Sequence, residues 1–229
     1  MVAKRLLAAL IVLMLAVSSF AVDAYYGARM GMGINLSRYA GDKASDYKKS
    51  MDDADMKWSN GASFDFAPFF LLQLADPFAL QTEMFFTNFG AGQVDKDGNG
   101  WRYSYRTIIV PVLAKVTLLE RKLGIFAGPH FHPTAARYVD YYDNGDKKDV
   151  WKSAGQSVGL TFGADFGFNV GPGKLFFDAR YLTMLGDTKS TKENDDGRPG
   201  GWEKDHKDGA YIRYAKLCFS VGYEFGGSK

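Results

Sequence analysis

The feature that most constrains this chain is a period of two in hydrophobicity that recurs along most of its length. Residues 26–36 set Tyr26, Ala28, Met30, Met32, Ile34 and Leu36 on one face and Gly27, Arg29, Gly31, Gly33 and Asn35 on the other. Successive side chains of an extended strand point to opposite faces, so the segment reads as a strand with a bulky apolar face and a small polar one. Residues 62–74 repeat the pattern, with Phe64, Phe66, Phe70 and Leu72 opposed to Ser63, Asp65, Ala67 and Phe69. Residues 80–88 oppose Leu80, Met84 and Phe86 to Gln81, Glu83 and Thr87. A fourth run, about 103–116, contains Pro111, a residue that normally sits at an edge, a strand start or a bulge. Further runs cover about 123–132, 158–169, 175–185 and 213–225, the last opposing Leu217, Phe219, Val221, Tyr223 and Phe225 to Lys216, Cys218, Ser220, Gly222 and Glu224. The pattern predicts eight strands.

The connections carry equal information. Those after the second, fourth and sixth strands are short: Ala75-Asp76-Pro77, residues 118–122 and Gly171-Pro172-Gly173-Lys174. Those after the first, third, fifth and seventh are longer and polar: 38–60, 90–100, 139–153 and 186–209. Short turns alternating with long loops are the mark of a transmembrane barrel, turns toward the periplasm and loops outside. A sheet in lipid must close on itself, because no water is present to satisfy an open edge. Eight strands close around an interior that side chains nearly fill. The bulky face then meets acyl chains, and Tyr25, Tyr26, Trp101, Tyr103, Tyr105, Tyr181 and Tyr223 are candidates for interfacial girdles. A soluble lipocalin-like barrel shares the strand count but needs a polar outside, which the phenylalanine stripes of the second and sixth strands oppose.

The first residues agree with export. Lys4 and Arg5 precede an apolar run from Leu6 to Val17, too short for a spanning helix, and small residues follow. A signal peptide of residues 1–21 or 1–24 is expected, then a barrel over 25–225 and a tail of 226–229. Without Lys4 and Arg5 the basic and acidic side chains match at 26 each, so no general electrostatic attraction to nucleic acid arises. The single cysteine, Cys218, rules out an internal disulfide.

By parity the interior holds Arg29, Asp65, Glu83, Lys115, Asp165, Asp178, Arg180, Lys216 and Glu224. Buried charges are costly unless paired, so the expected arrangement is a charge-compensated plug rather than an ion path. Asp178 and Arg180 are two apart on one strand face, and each is expected to pair across strands rather than with the other. His130 and His132 share a face in the spacing of a metal-binding pair, but no nearby acid or cysteine completes a site. Asp95-Lys96-Asp97-Gly98-Asn99-Gly100 copies half a calcium loop, yet Arg106 occupies the position of the bidentate glutamate. No metal or other cofactor is therefore expected. The chain lacks a Gly-x-Ser-x-Gly segment, so a barrel-embedded lipid-modifying enzyme would have to rest on His130 and a serine at lipid level. The loops carry Tyr39, Tyr47, Trp58, Tyr141, Tyr142, Trp151 and Trp202 among mixed charges, a composition suited to contact.

Three segments resemble a known family in order along the chain. Ile108-Ile109-Val110-Pro111-Val112-Leu113-Ala114-Lys115 is similar to the E-I-P-L-L-L-K strand of the outer-membrane β-barrel domain family that includes PorT-like proteins. Gly124-Ile125-Phe126-Ala127-Gly128-Pro129-His130-Phe131 resembles its G-x-G-P-Y strand, and Phe166 to Tyr181 resembles its G-K-L-x-L-D-A-R-Y hairpin. Ile109 stands where the family often has an acid, and Gly226-Gly227-Ser228-Lys229 follow the final aromatic Phe225. The resemblance covers about 25–225 and implies an outer-membrane barrel rather than an activity. Together these readings predict a monomeric barrel with outer-membrane lipid and the barrel-insertion machinery as partners. An extracellular ligand or envelope protein at the loops is a further candidate partner. The expected role is structural or surface-interacting, with a narrow pore for small solutes as the alternative.

Overall fold

The computed structural model of the chain describes residues 23–36, 38–40, 45, 48–49, 57–94, 100–143, 146–185 and 211–226. The expected leader lies outside these residues except for Asp23 and Ala24, which already pair in the first strand with Gln73 and Leu72. The strands are β1 (Asp23–Asn35), β2 (Arg38–Ala40), β3 (Lys57–Asn60), β4 (Ala62–Ala75), β5 (Phe78–Glu83) and β6 (Phe85–Val94). They continue with β7 (Gly100–Leu118), β8 (Leu123–Asp143), β9 (Asp146–Val170), β10 (Gly173–Leu185), β11 (Tyr211–Arg213) and β12 (Ala215–Gly226).

These strands build eight antiparallel staves. The order β1-β12-β10-β9-β8-β7-β5-β4 returns to β1 through a β1–β4 ladder, and β6 continues the stave of β5 between β4 and β7. The closing ladders are long: β1 pairs with β12 from Tyr25↔Gly226 to Asn35↔Lys216, and with β4 from Asp23↔Gln73 to Ile34↔Ala62. Among the described residues β1 is thus paired on both sides, so the sheet closes instead of leaving an open edge to lipid.

Proline accounts for the break in the third stave. Pro111 lies between the paired positions Thr82↔Val112 and Phe85↔Ile109, where its missing N–H leaves a gap, and Met84 donates its own N–H to Pro68 on the other side. The Thr82 hydroxyl donates to the Pro111 carbonyl at 3.0 Å. A second irregularity lies in β8, whose register against β7 shifts opposite Ile108 and Val110 and against β9 between His132 and Ala135, a stretch that includes Pro133. Both prolines therefore sit at bulges or interruptions.

The staves are unequal. β7, β8 and β9 run for 19, 21 and 25 residues, about twice the roughly 9–11 residues of a tilted membrane strand. As a result, much of 90–100 and 139–153 is not loop. Pairing continues to Val94↔Gly100 in one hairpin and to Asp143↔Asp146 in the other. Segment 38–60 contributes β2 and β3 at its ends, paired with β11 and β6. Segment 186–209 lies outside the described residues.

The parity of side chains is inverted relative to a soluble barrel. Met32, Phe64, Phe166, Phe177 and Phe219 lie on the outer surface, each more than half exposed. Arg29, Asp65, Glu83 and Arg180 are almost wholly buried inside. So continuous an apolar outer belt is stable only against lipid. Phe166, 54% exposed on β9, tests this directly. Phe166→Arg is expected to impair folding into lipid vesicles by about 2–4 kcal/mol if the position is near the midplane. Wild-type yields and kinetics of vesicle insertion for this variant would contradict a lipid-facing outer surface.

Candidate functional site

The lumen is where the sequence concentrates its chemistry, and its centre is Glu83 at the end of β5. Its carboxylate accepts from Arg29 of β1, with Nη2 at 2.8 Å and Nε at 3.2 Å, and from Arg180 Nη1 of β10 at 2.9 Å. In the stave order, β5 and β10 lie on opposite sides of the barrel, so the Glu83–Arg180 bridge crosses the lumen. Asp178 completes a neutral quartet: Arg180 donates to it from Nε at 2.8 Å and Nη2 at 2.6 Å, and Arg29 Nη1 lies 3.7 Å away. The Ser220 hydroxyl accepts from Arg29 Nη1 and donates to Asp178. Aromatic rings fill the rest: Arg29 lies 4.6 Å from the centroid of Phe85 and Arg180 lies 4.9 Å from that of Phe126.

From Glu83 a polar chain descends toward the short turns. Gln81 donates to Glu83 at 2.6 Å and accepts from Lys115 at 3.3 Å, and Lys115 pairs with Asp165 at 2.6 Å. Asp165 is shared with Lys174 at 3.6 Å, whose ammonium donates to the Arg121 carbonyl. The turn at this end is unusual: Leu119, Glu120 and Arg121 all have positive φ, at 53°, 56° and 66°. Left-handed backbone at a non-glycine residue costs about 1–3 kcal/mol and persists only where surroundings over-determine it. Here the Arg121 guanidinium is held 3.4 Å over the Tyr25 ring and 2.7 Å from Glu224. The turn is thereby folded across the barrel mouth.

Toward the long loops, Lys216 of β12 pairs with Asp65 of β4 at 2.5 Å and donates to the Thr87 hydroxyl and the Asn88 carbonyl. The Thr87 hydroxyl also donates to Asp65 at 2.6 Å. Small residues make room for these stems: a Cβ on Gly33 would lie 2.1 Å from Lys216 Cε, and one on Gly124 would lie 2.5 Å from Lys115 Cε. His130 and His132 are also inside, their ring centroids 4.9 Å apart. His130 Nδ1 lies 2.8 Å from the Thr161 hydroxyl. Its Nε2 lies above Gly159, where an added Cβ would come within 2.0 Å of it. Among the described residues no three His, Cys, Asp or Glu side chains are grouped to hold a metal. His130 is also fully buried in the lumen. Residues 95–99 of the half calcium loop lie outside the described residues.

All nine residues of the candidate interior set are buried, in several ion-pair groups, of which Gln81 links the Lys115–Asp165 pair to the central quartet. Arg29, Glu83, Asp178 and Arg180 form the central quartet, Lys115 meets Asp165, Lys216 meets Asp65, and Glu224 meets Arg121. One expectation is corrected. Asp178 and Arg180 pair with each other, because the guanidinium folds back along its own strand while a second nitrogen reaches across to Glu83. Tyr25 also departs from the girdle reading, since it shares the inner parity of Arg29 and lies under Arg121. Two members of the network were not read from the sequence. Lys174 stands in the short Gly171–Lys174 connection of the sequence pattern, although it shares parity with Phe176, Asp178 and Arg180. Arg121 lies in a turn, where no periodicity points anywhere. With Lys174 included, five basic and five acidic side chains are buried among the described residues.

The bridge across the lumen gives a quantitative expectation. Glu83→Leu and Arg180→Leu each strand an opposite charge inside, which costs about 3–5 kcal/mol. Both variants should therefore lose thermal stability in detergent while retaining the apolar outer surface for insertion. Unchanged melting of both would show that the bridge contributes nothing.

Comparisons with known proteins agree with this geometry. No curated protein matches the sequence. Among solved structures, OprG from Pseudomonas aeruginosa, an outer membrane protein, is similar with a TM-score of 0.51 at 12% identity, over 90% of this chain and 97% of that one. Ail, the attachment invasion locus protein of Yersinia pestis, aligns at 11% identity and a TM-score of 0.43 over 89% of this chain and 99% of that one. Neisserial surface protein A aligns at 9% identity with a TM-score of 0.43, over 89% of this chain and 97% of that one. Only the likeness to OprG is close enough to carry weight, and it speaks to fold. The family model for the outer membrane protein beta-barrel domain matches residues 21–190. The chain belongs to that outer-membrane β-barrel family.

Proposed function

We propose that this outer-membrane protein is a closed anchor, not a conduit, and that it acts at the cell surface through the strands and loops on its long-loop side. The observation that carries the reading is the Glu83–Arg180 bridge at 2.9 Å between opposed staves, both side chains almost wholly buried. A solute passing through would have to part this pair and the charges stacked below it. Each separation would expose ions to an interior of low dielectric, where unpaired charge is expensive. The unequal staves add to the reading. β7, β8 and β9 exceed the length a membrane needs, and the excess lies on the side opposite the short turns. Turns of such barrels face the periplasm, so the excess stands outside the cell.

The protein is proposed to be exported with a cleaved leader, inserted by the barrel-insertion machinery and monomeric in outer-membrane lipid. No catalytic role is assigned. Its interior charges serve structure, and an extracellular ligand or envelope protein is the proposed partner. A narrow pore for small solutes is the second reading, favoured by the unbroken polar chain from Lys174 through Asp165, Lys115 and Gln81 to Glu83. Purified, refolded protein in planar bilayers separates the two. The closed anchor gives no stable unitary currents at any applied voltage short of membrane rupture. Reproducible single-channel steps would establish the pore.

A further inference from the structure

The quartet accounts for the centre of the lumen but not for the two histidines above it. Past Phe126, which lies against Arg180, β8 runs on toward the long loops and places His130 and His132 inside, 0% and 1% exposed. Nε2 of His130 is buried with no hydrogen-bond partner. So is the hydroxyl of Ser157, the residue opposite His132 in the β8–β9 ladder. A folded interior leaves few such atoms, because each gives up its hydration for nothing, and a bound ion is one reason to keep them.

The neighbouring threonines orient the rings. Thr107 Oγ1 donates to the Ile108 carbonyl at 3.1 Å, so its single proton is committed and it accepts from His132 Nδ1, 3.4 Å away. His132 therefore carries its proton on Nδ1, and its Nε2 keeps a lone pair. His130 is held in the same sense, with Nδ1 2.8 Å from the Thr161 hydroxyl and Nε2 over Gly159. Imidazoles fixed through one nitrogen by an oxygen present the other to a metal. The spacing agrees. Two imidazoles that share one ion through bonds of about 2.0–2.1 Å have ring centroids about 5 Å apart at a tetrahedral angle, and these rings are 4.9 Å apart.

A third ligand comes from β10. Gly159 pairs with His130 on one side and with Met184 on the other, so the three positions form one inward row. Lacking a side chain, Gly159 lets the Nε2 edge of His130 lie over it, one strand nearer to Met184. Cβ atoms of directly paired residues are about 4.5–5.5 Å apart, which a methionine side chain spans. Met184 is 3% exposed, and its thioether is flexible and polarisable.

The ligand set selects the ion. Among the described residues no carboxylate or thiol joins the two histidines. Two neutral imidazoles and a thioether carry no charge, so a divalent ion would leave two positive charges uncompensated in a lumen of low dielectric. A monovalent ion leaves one, and thioether sulfur favours soft copper(I).

We propose that His130, His132 and Met184 form a binding site for copper(I) at the long-loop end of the lumen. The ion sits above the bridged quartet, so the inference requires no passage through the barrel and is independent of whether the lumen conducts.

The test uses the full mature chain, refolded in detergent and kept free of oxygen. Copper(I) is offered in competition with a coloured chelator, with zinc(II) as comparison. Folded protein should take up one copper(I) per barrel and no zinc(II) at the same concentration. X-ray absorption at the copper edge should show sulfur as well as nitrogen neighbours. Thr161→Val, which removes the oxygen that orients His130, should weaken binding about 10- to 100-fold, and His130→Gln and Met184→Leu should weaken it further. Cys218→Ala, which removes the one thiol, and Met30→Leu on the outer face should leave binding unchanged. Heat-modifiable migration shows that each variant is folded. The proposal is overturned if folded protein takes up no copper(I) or binds zinc(II) as tightly. It is overturned equally if uptake is lost with Cys218→Ala, or if His130→Gln and Met184→Leu bind like wild type.

Discussion

The structure depends on one carboxylate being shared by two guanidinium groups in the middle of a membrane barrel. Glu83 accepts from Arg29 two staves away and from Arg180 on the far side, and Asp178 balances the second positive charge. An isolated ion at that depth would be prohibitive, and a single pair would still leave lone pairs and donors unsatisfied. The quartet meets both demands, because each guanidinium divides its nitrogens between two acceptors and the hydroxyl of Ser220 takes up another. Bridging opposed staves also fixes the shape of the cross-section, which ladder hydrogen bonds between neighbours set only locally.

The rest of the interior follows from that arrangement. Long basic stems need space near the barrel wall, and glycine supplies it: Gly33 beside Lys216, Gly124 beside Lys115, and Gly222, where a Cβ would lie 2.8 Å from Arg29 Cβ. Phenylalanines 69, 85, 89, 126 and 176 then fill the gaps between charges, Phe69 meeting Phe176 edge to face across the lumen. At the turn end, three left-handed residues carry Arg121 back over Tyr25 and Glu224. The strained turn is held by these two contacts, which reach from it to β1 and β12 on the other side of the barrel.

The barrel was legible because lipid imposes a strict rule on strands such as 26–36 and 158–169. One face must be apolar, and the other is free to be small or charged. That rule ends where the membrane ends. Beyond about Ile108 on β7 and Phe131 on β8 the strict alternation of apolar residues in the sequence lapses, although the ladders continue. The extended hairpins at 90–100 and 139–153 therefore look like loops to any reading that follows apolar alternation. Parity also placed the interior charges but not their partners. Lys115 finds Asp165 rather than a residue at position 109, and Arg180 finds Asp178 as well as Glu83, because side-chain reach and stave order are absent from a one-dimensional pattern. Lys174 was hidden by the turn residues around it, and Arg121 by a backbone conformation that no non-glycine residue advertises.

The central claim is that the lumen is packed shut, and the chain carries its own reporter. Cys218, the one cysteine, lies on the inner face opposite Gly33 and Arg180 and is fully buried. Folded protein in detergent or vesicles is treated with a small, membrane-impermeant maleimide, and labelling is followed by mass. The account predicts no modification while the heat-modifiable folded form persists and complete modification once it is unfolded. Labelling of the folded form at the rate of a free thiol would mean that water reaches Cys218, and would contradict a closed interior.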